Sequence, residues 1–241
     1  QYGKFYASFK NASWYKDQKK LYEKNAKNLG FNKVSEKKLA VAKKIKEFVN
    51  AGGFLFAMCS ATDSYDIALA SEGIDICQHM FDGDAIDKNI NENLDYSKTL
   101  AFKNFTLIKD PNKYEFSSID ATQTRRIKPN IDFFTLFDFS AKWDPIPTML
   151  CQNHMQVIKG FMGQTTSFKN QYIKSNVIIM GETKATNEAR YIHGKLGNGT
   201  WTFYGGHDPE DYQHRVGDPK TDLSLHQNSP GYRLILNNIL F

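Results

Sequence analysis

Apolar residues along this chain first repeat with helical spacing, then run unbroken, then lose regular spacing, and finally recover it. Ser13–Asn28 reads as a helix that is polar nearly all round, anchored by Trp14, Leu21 and Tyr22 and stopped near Gly30. Ser35 can cap a second helix, in which Leu39, Ala42, Ile45 and Val49 share one face and Gly52-Gly53 ends it. Phe54–Met58 follows without a polar residue, as in a parallel strand covered on both faces. A helix over residues 63–71 comes next. Helix, buried strand, sharp turn and helix form the repeating unit of a doubly wound, mainly parallel α/β sheet.

After a short candidate strand at Ile74-Asp75-Ile76 the pattern changes. From Asp82 to Asn153 there is no convincing amphipathic helix, only β-like pieces at 99–102, 105–108 and 133–139 between polar and proline-containing loops. This predicts an insertion, about 82–153, of antiparallel strands and long loops beside the core of a single domain spanning 1–241. Regular α/β reading resumes near Thr166. A strand is expected at 176–180, and strands at 189–193 and 200–204 flank Gly197-Asn198-Gly199, a strong hairpin turn. Ser229-Pro230 then opens a last helix carrying Leu234, Ile235, Ile239 and Leu240 toward the sheet.

With 241 residues, 41% of them hydrophobic, the chain has ample material for one buried core. No run of about 18 apolar residues exists to span a membrane. The net charge of +5 is concentrated: residues 1–50 hold 13 lysines against 4 acids. No arginine and no aromatic recognition motif accompanies these lysines, so solvated helix faces explain them and nucleic acid is not an expected partner.

Cys59 stands where the apolar strand meets a polar helix start, with Ala57 and Ala61 on either side. This is the pattern of a nucleophile elbow, a turn so sharp that only small residues fit at the flanking positions. The N–H groups that follow and the helix dipole favour a thiolate there. A buried core cysteine ending an ordinary strand fits the same residues. Ser60 N–H is one expected oxyanion donor, with a second from a loop near or before Gly3. The later stretch from Thr200 to Asp211 ends a strand in Gly205-Gly206-His207, the place for a base serving a neighbouring nucleophile. Asp208, Glu210 or Asp211 can orient its ring. His154 and Gln164, in a stretch rich in amides and hydroxyls, are expected to line the pocket.

The Cys59 and His207 stretches together resemble the class I glutamine amidotransferase-like superfamily, in which an elbow cysteine works with a later histidine and an acid. The segment 197–241, with its glycine-rich hairpin, Gly-His-Asp, long loop and closing helix, looks like the trehalose-utilisation-like (ThuA-like) branch. Residues 54–70, 149–166 and 201–241 look like a bacterial exported family bearing the name asparagine synthetase B, although neither the N-terminal cysteine glutaminase nor the ATP-pyrophosphatase signature behind that name is in this chain. The resemblance implies a flavodoxin-like fold, with an export signal and further strands upstream of Gln1, and a periplasmic or outer-membrane location. Only Cys59 and His207 carry over residue by residue. The superfamily's acid, two positions after the histidine, is here Pro209 between Asp208 and Glu210.

Three cysteines cannot all pair within one chain. Cys77 with Cys151 is the natural disulfide in an oxidising compartment, and all three are thiols in a reducing one. Cys77 and His79 with Cys151 and His154 offer zinc-type ligands, but at spacing too tight for a usual site, and no metal or cofactor is assigned. Asp82-Gly83-Asp84 with Asp87 lacks the spacing of an EF-hand and reads as a solvated turn. The leading expectation is a cysteine hydrolase or amidase acting on a small amide or ester. The alternatives are a non-catalytic exported binding or assembly subunit within a larger complex, and a carbohydrate-related role implied by the trehalose-utilisation-like resemblance.

Overall fold

A computed structural model describes residues 6–111, 113, 115–121, 131–138, 148–151, 153–211 and 219–240. Helices α1 (Tyr6–Phe9), α2 (Ser13–Asn28) and α3 (Val34–Asn50) lead into strand β1 (Phe54–Met58). In α2 the buried anchors are Tyr15 and Ala26, whereas Trp14 and Leu21 are exposed. Tyr15 and Ala26 lie eleven residues apart, three turns, and so share a face. Helix α3 keeps its expected face, with Ala42 and Val49 buried and Ile45 packed beside them. Its cap is Lys33 rather than Ser35. The Glu36 carboxylate reaches back to the N–H groups of Asn32 and Lys33, satisfying donors the first turn leaves open.

Next come α4 (Ser60–Ala70), α5 (His79–Asp82), β2 (Phe133–Leu136), α6 (Thr148–Cys151), β3 (Val157–Lys159) and β4 (Phe168–Lys169). The chain closes with β5 (Ile178–Thr183), β6 (Glu188–Leu196), β7 (Gly199–Tyr204) and α7 (Pro230–Leu240). One curled, mixed sheet runs β1-β7-β6-β5-β2-β3, with β4 paired to β6. The segments 54–58, 176–180 and 200–204 do meet in one sheet, but it is not mainly parallel. Among the described strands only β1 with β7 is parallel, Ala57 opposite Phe203; the remaining pairings are antiparallel. The reason is connection length. A parallel pair needs a crossover of a dozen or more residues, whereas β5 turns into β6 through Lys184–Thr186 and Asn187, and β6 into β7 through Gly197-Asn198.

Two expected strand regions are coil because carboxylates take their N–H groups. Asp66 on α4 accepts from Leu100, Ala101 and Phe102, leaving 99–102 one bridge, Phe102 to Ile173. Asp87 accepts from Asp75 N–H, and Asp75 from Cys77 N–H, so 74–76 is not a strand. Residues 105–108 likewise contribute a bridge, Leu107 to Ser117. The expected strand at 133–139 is observed as β2; Phe139 lies outside the described residues.

The sheet carries helices on both faces. Trp201 and Phe203 of β7 pack with α3, α4 and buried residues of the 94–119 segment, among them Leu94, Phe102 and Phe105. Tyr204, on the alternate side, packs with Tyr191, Phe161 and Leu234 of α7. Each large side chain fully buried this way contributes about 1.5–3 kcal/mol. Helix α7 starts as its sequence predicts, with Ser229 Oγ accepting from Tyr232 N–H at 3.3 Å. Ile239 and Leu240, however, are exposed, and Asn238 is buried instead. Its amide donates to Tyr191 Oη and Tyr204 Oη, both at 2.6 Å, and these bonds choose the helix face. Among the described residues no helix is long and apolar enough to cross a membrane.

Candidate functional site

Between the last residue of β1 and the first of α4 there is a single residue, Cys59. Its backbone has φ 58° and ψ −141°, a region nearly reserved for glycine. The other described non-glycine residues at positive φ are Asn89, Asn104 and Asn187, a residue type that tolerates it. Such strain costs on the order of 1–3 kcal/mol and persists only where the surroundings impose it. Here Cys59 N–H is shared between the carbonyls of Tyr204 at 3.1 Å and Gly206 at 3.0 Å. On its other side the Cys59 carbonyl accepts from the Thr62 hydroxyl at 2.7 Å. The elbow is therefore clamped between β7 and its own helix.

A loop from Gly160 to Thr166 comes over the sulfur from the opposite side. Gln164 N–H donates to Cys59 Sγ at 3.0 Å, and Ser60 donates to it from N–H and hydroxyl. Residues around Gly3, where a second oxyanion donor is expected, lie outside the described residues; the donor present is Gln164. The loop approaches because β7 ends in two glycines. A Cβ on Gly206 (φ +77°) would stand 2.2 Å from the Phe161 carbonyl oxygen. Backbone bonds then zip the strands of the cleft together: Gly206 N–H to Thr165 O at 2.6 Å and His207 N–H to Met162 O at 2.7 Å. This brings His207 to the sulfur. The position a Cβ would take on Gly163 lies 2.9 Å from His207 Cδ2 and 3.1 Å from Cys59 Sγ, so the two atoms are at most about 6 Å apart.

The electrostatics differ from expectation at two points. Burial pushes the Cys59 thiol up, and the Asp63 charge adds to this, against the hydrogen bonds from Gln164 and Ser60. The sulfur is thus a thiol at neutral pH, because desolvating a thiolate outweighs the helix terminus. Nor does Asp208 orient the His207 ring. Its Oδ1 accepts from Glu210 N–H, Asp211 N–H and Tyr232 Oη, and its Oδ2 from the Thr221 hydroxyl. Burial alone would raise this carboxylate, but those bonds hold it below the usual range. It pins its own loop. Glu210 is half-buried with its charge felt at Tyr232 on the same side. His154 lines a groove of about 580 Å³ with His226, Tyr232 and Arg233, beyond the Asp208 loop.

The three cysteines are free thiols, so the Cys77–Cys151 disulfide is not formed. Cys151 is buried against the α7 side of the sheet, and Cys77 sits beside Asp82. The two pairs of zinc-type ligands are therefore not assembled on one metal. Asp75, Asp82 and Asp84 do converge, each with an oxygen within 4.8 Å of the others, and the Lys33 ammonium stands among them as their counter-charge. Sequence reasoning missed Asp63 and Thr165. Both are fully buried, and the Thr165 hydroxyl donates to Asp63 Oδ1 at 3.1 Å. Asp63 lies one helical turn after Cys59, which spacing alone reveals. Comparison with family models, with curated proteins and with solved structures finds no match to this chain.

Proposed function

We propose that this chain is a cysteine hydrolase or amidase related to the class I glutamine amidotransferase-like proteins, acting on a small amide or ester. The observation that carries the reading is the convergence at one sulfur: a strained strand-to-helix residue, two backbone N–H donors from separate segments, and an imidazole within about 6 Å. In this reading His207 removes the Sγ proton as the sulfur bonds to the carbonyl carbon, and the carbonyl π pair moves onto oxygen. The Ser60 and Gln164 N–H groups, which point at the resting sulfur, hold that oxyanion. Collapse expels an amine or alcohol, which leaves with the proton from His207. Water, deprotonated by His207, then attacks the thioester carbonyl; its collapse expels the sulfur, which regains a proton from His207. Because the resting sulfur is a thiol, His207 acts as a general base in the attack rather than as partner in a preformed ion pair.

Turnover of p-nitrophenyl acetate, with intact-mass detection of an acetyl adduct, tests this. Wild type is expected to acylate at Cys59, Cys59→Ala to lose turnover, and His207→Ala to fall by on the order of 10²–10⁴-fold. Wild-type turnover in Cys59→Ala overturns the proposal. The second reading, an exported binding or assembly subunit that keeps the fold, is favoured by the raised thiol and by the turning of Asp208 into its own loop. It is selected if folded wild type yields no adduct with esters or amides.

A further inference from the structure

We infer that Asp63 is a positioning residue that holds the Gln164 N–H on the Cys59 sulfur through Thr165, an inference that rests on the proposed use of that site. The contacts form a closed circuit. Asp63 rides on α4, the helix whose first residue follows Cys59, and is 0% exposed. One of its oxygens accepts from Ser64 N–H at 3.0 Å and from the Thr165 hydroxyl at 3.1 Å. Thr165 is also 0% exposed, so its hydroxyl has no water to turn to. The residue before it supplies the N–H on the sulfur, at 3.0 Å. Its own carbonyl accepts from Gly206 N–H at 2.6 Å, and the Gly206 carbonyl accepts from Cys59 N–H at 3.0 Å. One side-chain bond therefore ties the helix carrying the nucleophile to the loop carrying the second donor, and through Gly206 to the segment carrying His207.

The second oxygen of Asp63 shows that stability alone does not account for the residue. Oδ2 is buried with no hydrogen-bond partner among the described residues, an arrangement that costs free energy. An apolar residue here would relieve that cost, but only a side chain with an acceptor at Oδ1 can hold Thr165. Burial, and next the charge of Asp120, push Asp63 well above the usual carboxylate range.

The test is the rate of iodoacetamide labelling at Cys59 against pH, which needs no turnover, in folded protein confirmed by circular dichroism. Thr165→Val, isosteric but lacking the hydroxyl, is expected to move the labelling midpoint up by about 0.5 pH unit or more as the sulfur loses a donor. Asp63→Ala should label with a higher midpoint than Asp63→Asn, which also carries no charge but keeps the acceptor for Thr165. Thr165→Ser keeps the donor and should label within about twofold of wild type, since it preserves the bond. A wild-type profile in folded Thr165→Val, or a shifted one in Thr165→Ser, overturns the inference. If wild type yields no acyl adduct yet Thr165→Val shifts the profile, the proposed hydrolase fails and the positioning of the sulfur stands.

Discussion

Asp63 and Asp66 lie three residues apart on α4 and both are fully buried, yet their surroundings are opposite. Asp66 accepts three N–H groups, from Leu100 at 2.8 Å, Ala101 at 2.7 Å and Phe102 at 2.9 Å. Burial still raises it to about 6, against those bonds. Asp63 has one satisfied oxygen and one orphan. The Asp66 side of the helix obeys the rule that buried polar groups are paired, and it fixes a long coil in the core. The Asp63 side breaks that rule one turn from a residue that also breaks the backbone rule, Cys59 at φ 58°. Violations of separate rules gathered at one helix end are what a site looks like, because folding stability alone would remove each of them.

The largest effect expected is on stability at Asp66. Asp66→Ala leaves three buried N–H groups without an acceptor, each worth about 1–3 kcal/mol, so a loss of at least about 3 kcal/mol is expected in urea unfolding. Such a loss, with Cys59 labelling unchanged in the remaining folded protein, confirms the helix middle as structural. A loss under 1 kcal/mol would mean the 100–102 backbone finds other partners and the contrast is false.

Next in size is a dependence on pH. Asp66 keeps its proton in the folded state up to about 6, whereas the unfolded chain releases it near 3.8. Between those values the folded state binds more protons, so this group's contribution to stability is full below 3.8 and falls by about 3 kcal/mol as pH rises to 6. His193 opposes it. Buried, with Nδ1 3.0 Å from the Thr202 hydroxyl, it is lowered from 6.5 to about 4, so its contribution is full above 6.5 and is lost as pH falls to 4. The two overlap. The measurement is therefore the wild-type stability curve minus that of Asp66→Asn, which should slope downward from pH 4 to 6; a flat difference would place the Asp66 proton elsewhere.

This contrast also marks how far the sequence could be read. Helices α2 and α3, strand β1 and the β6–β7 hairpin were legible because apolar spacing and Gly197-Asn198-Gly199 are local signals. The elbow was legible from Ala57, Cys59 and Ala61 for the same reason. Strand direction was not, because it rests on connections. The 184–187 turn carries neither glycine nor proline, and its reversal uses Asn187 at φ 55°. Asp66 drawing 100–102 away from a strand is a contact across more than thirty residues, and no periodicity encodes it. The Gln164 donor is a backbone N–H, which every residue but proline has, so no residue type announces it.

Gly163→Ala probes the crowded end directly. The new methyl would sit between His207 Cδ2 and Cys59 Sγ, and the φ of +153° already disfavours a side chain. Labelling at Cys59 is expected to fall at least about tenfold, with a stability loss of only about 1–2 kcal/mol from the backbone. If labelling holds at the wild-type rate, His207 and the sulfur do not share that space in solution.

Asp63→Asn should produce the smallest loss, and for that reason it sharpens the comparison most. Burial, and next the charge of Asp120, push the wild-type carboxyl well above its usual range. Asparagine is uncharged, has the same shape, and keeps an oxygen for the Thr165 hydroxyl and Ser64 N–H. Its amide takes the place of the orphan Oδ2. A stability loss of no more than about 1 kcal/mol is therefore expected at pH 7, since no buried bond is lost. Above pH 3.8 proton linkage acts in favour of the variant. The raised folded value means that wild type is destabilised as pH rises from the unfolded value of 3.8 toward the folded one, and asparagine has no proton to lose. At Asp66 the same substitution keeps one acceptor oxygen but turns an amide donor toward at least one of the three N–H donors, and a cost of about 2 kcal/mol or more is expected at pH 7. Parallel urea titrations of Asp63→Asn and Asp66→Asn decide it: equal losses would make the two aspartates alike and remove the physical basis for treating the Cys59 end of α4 as a site.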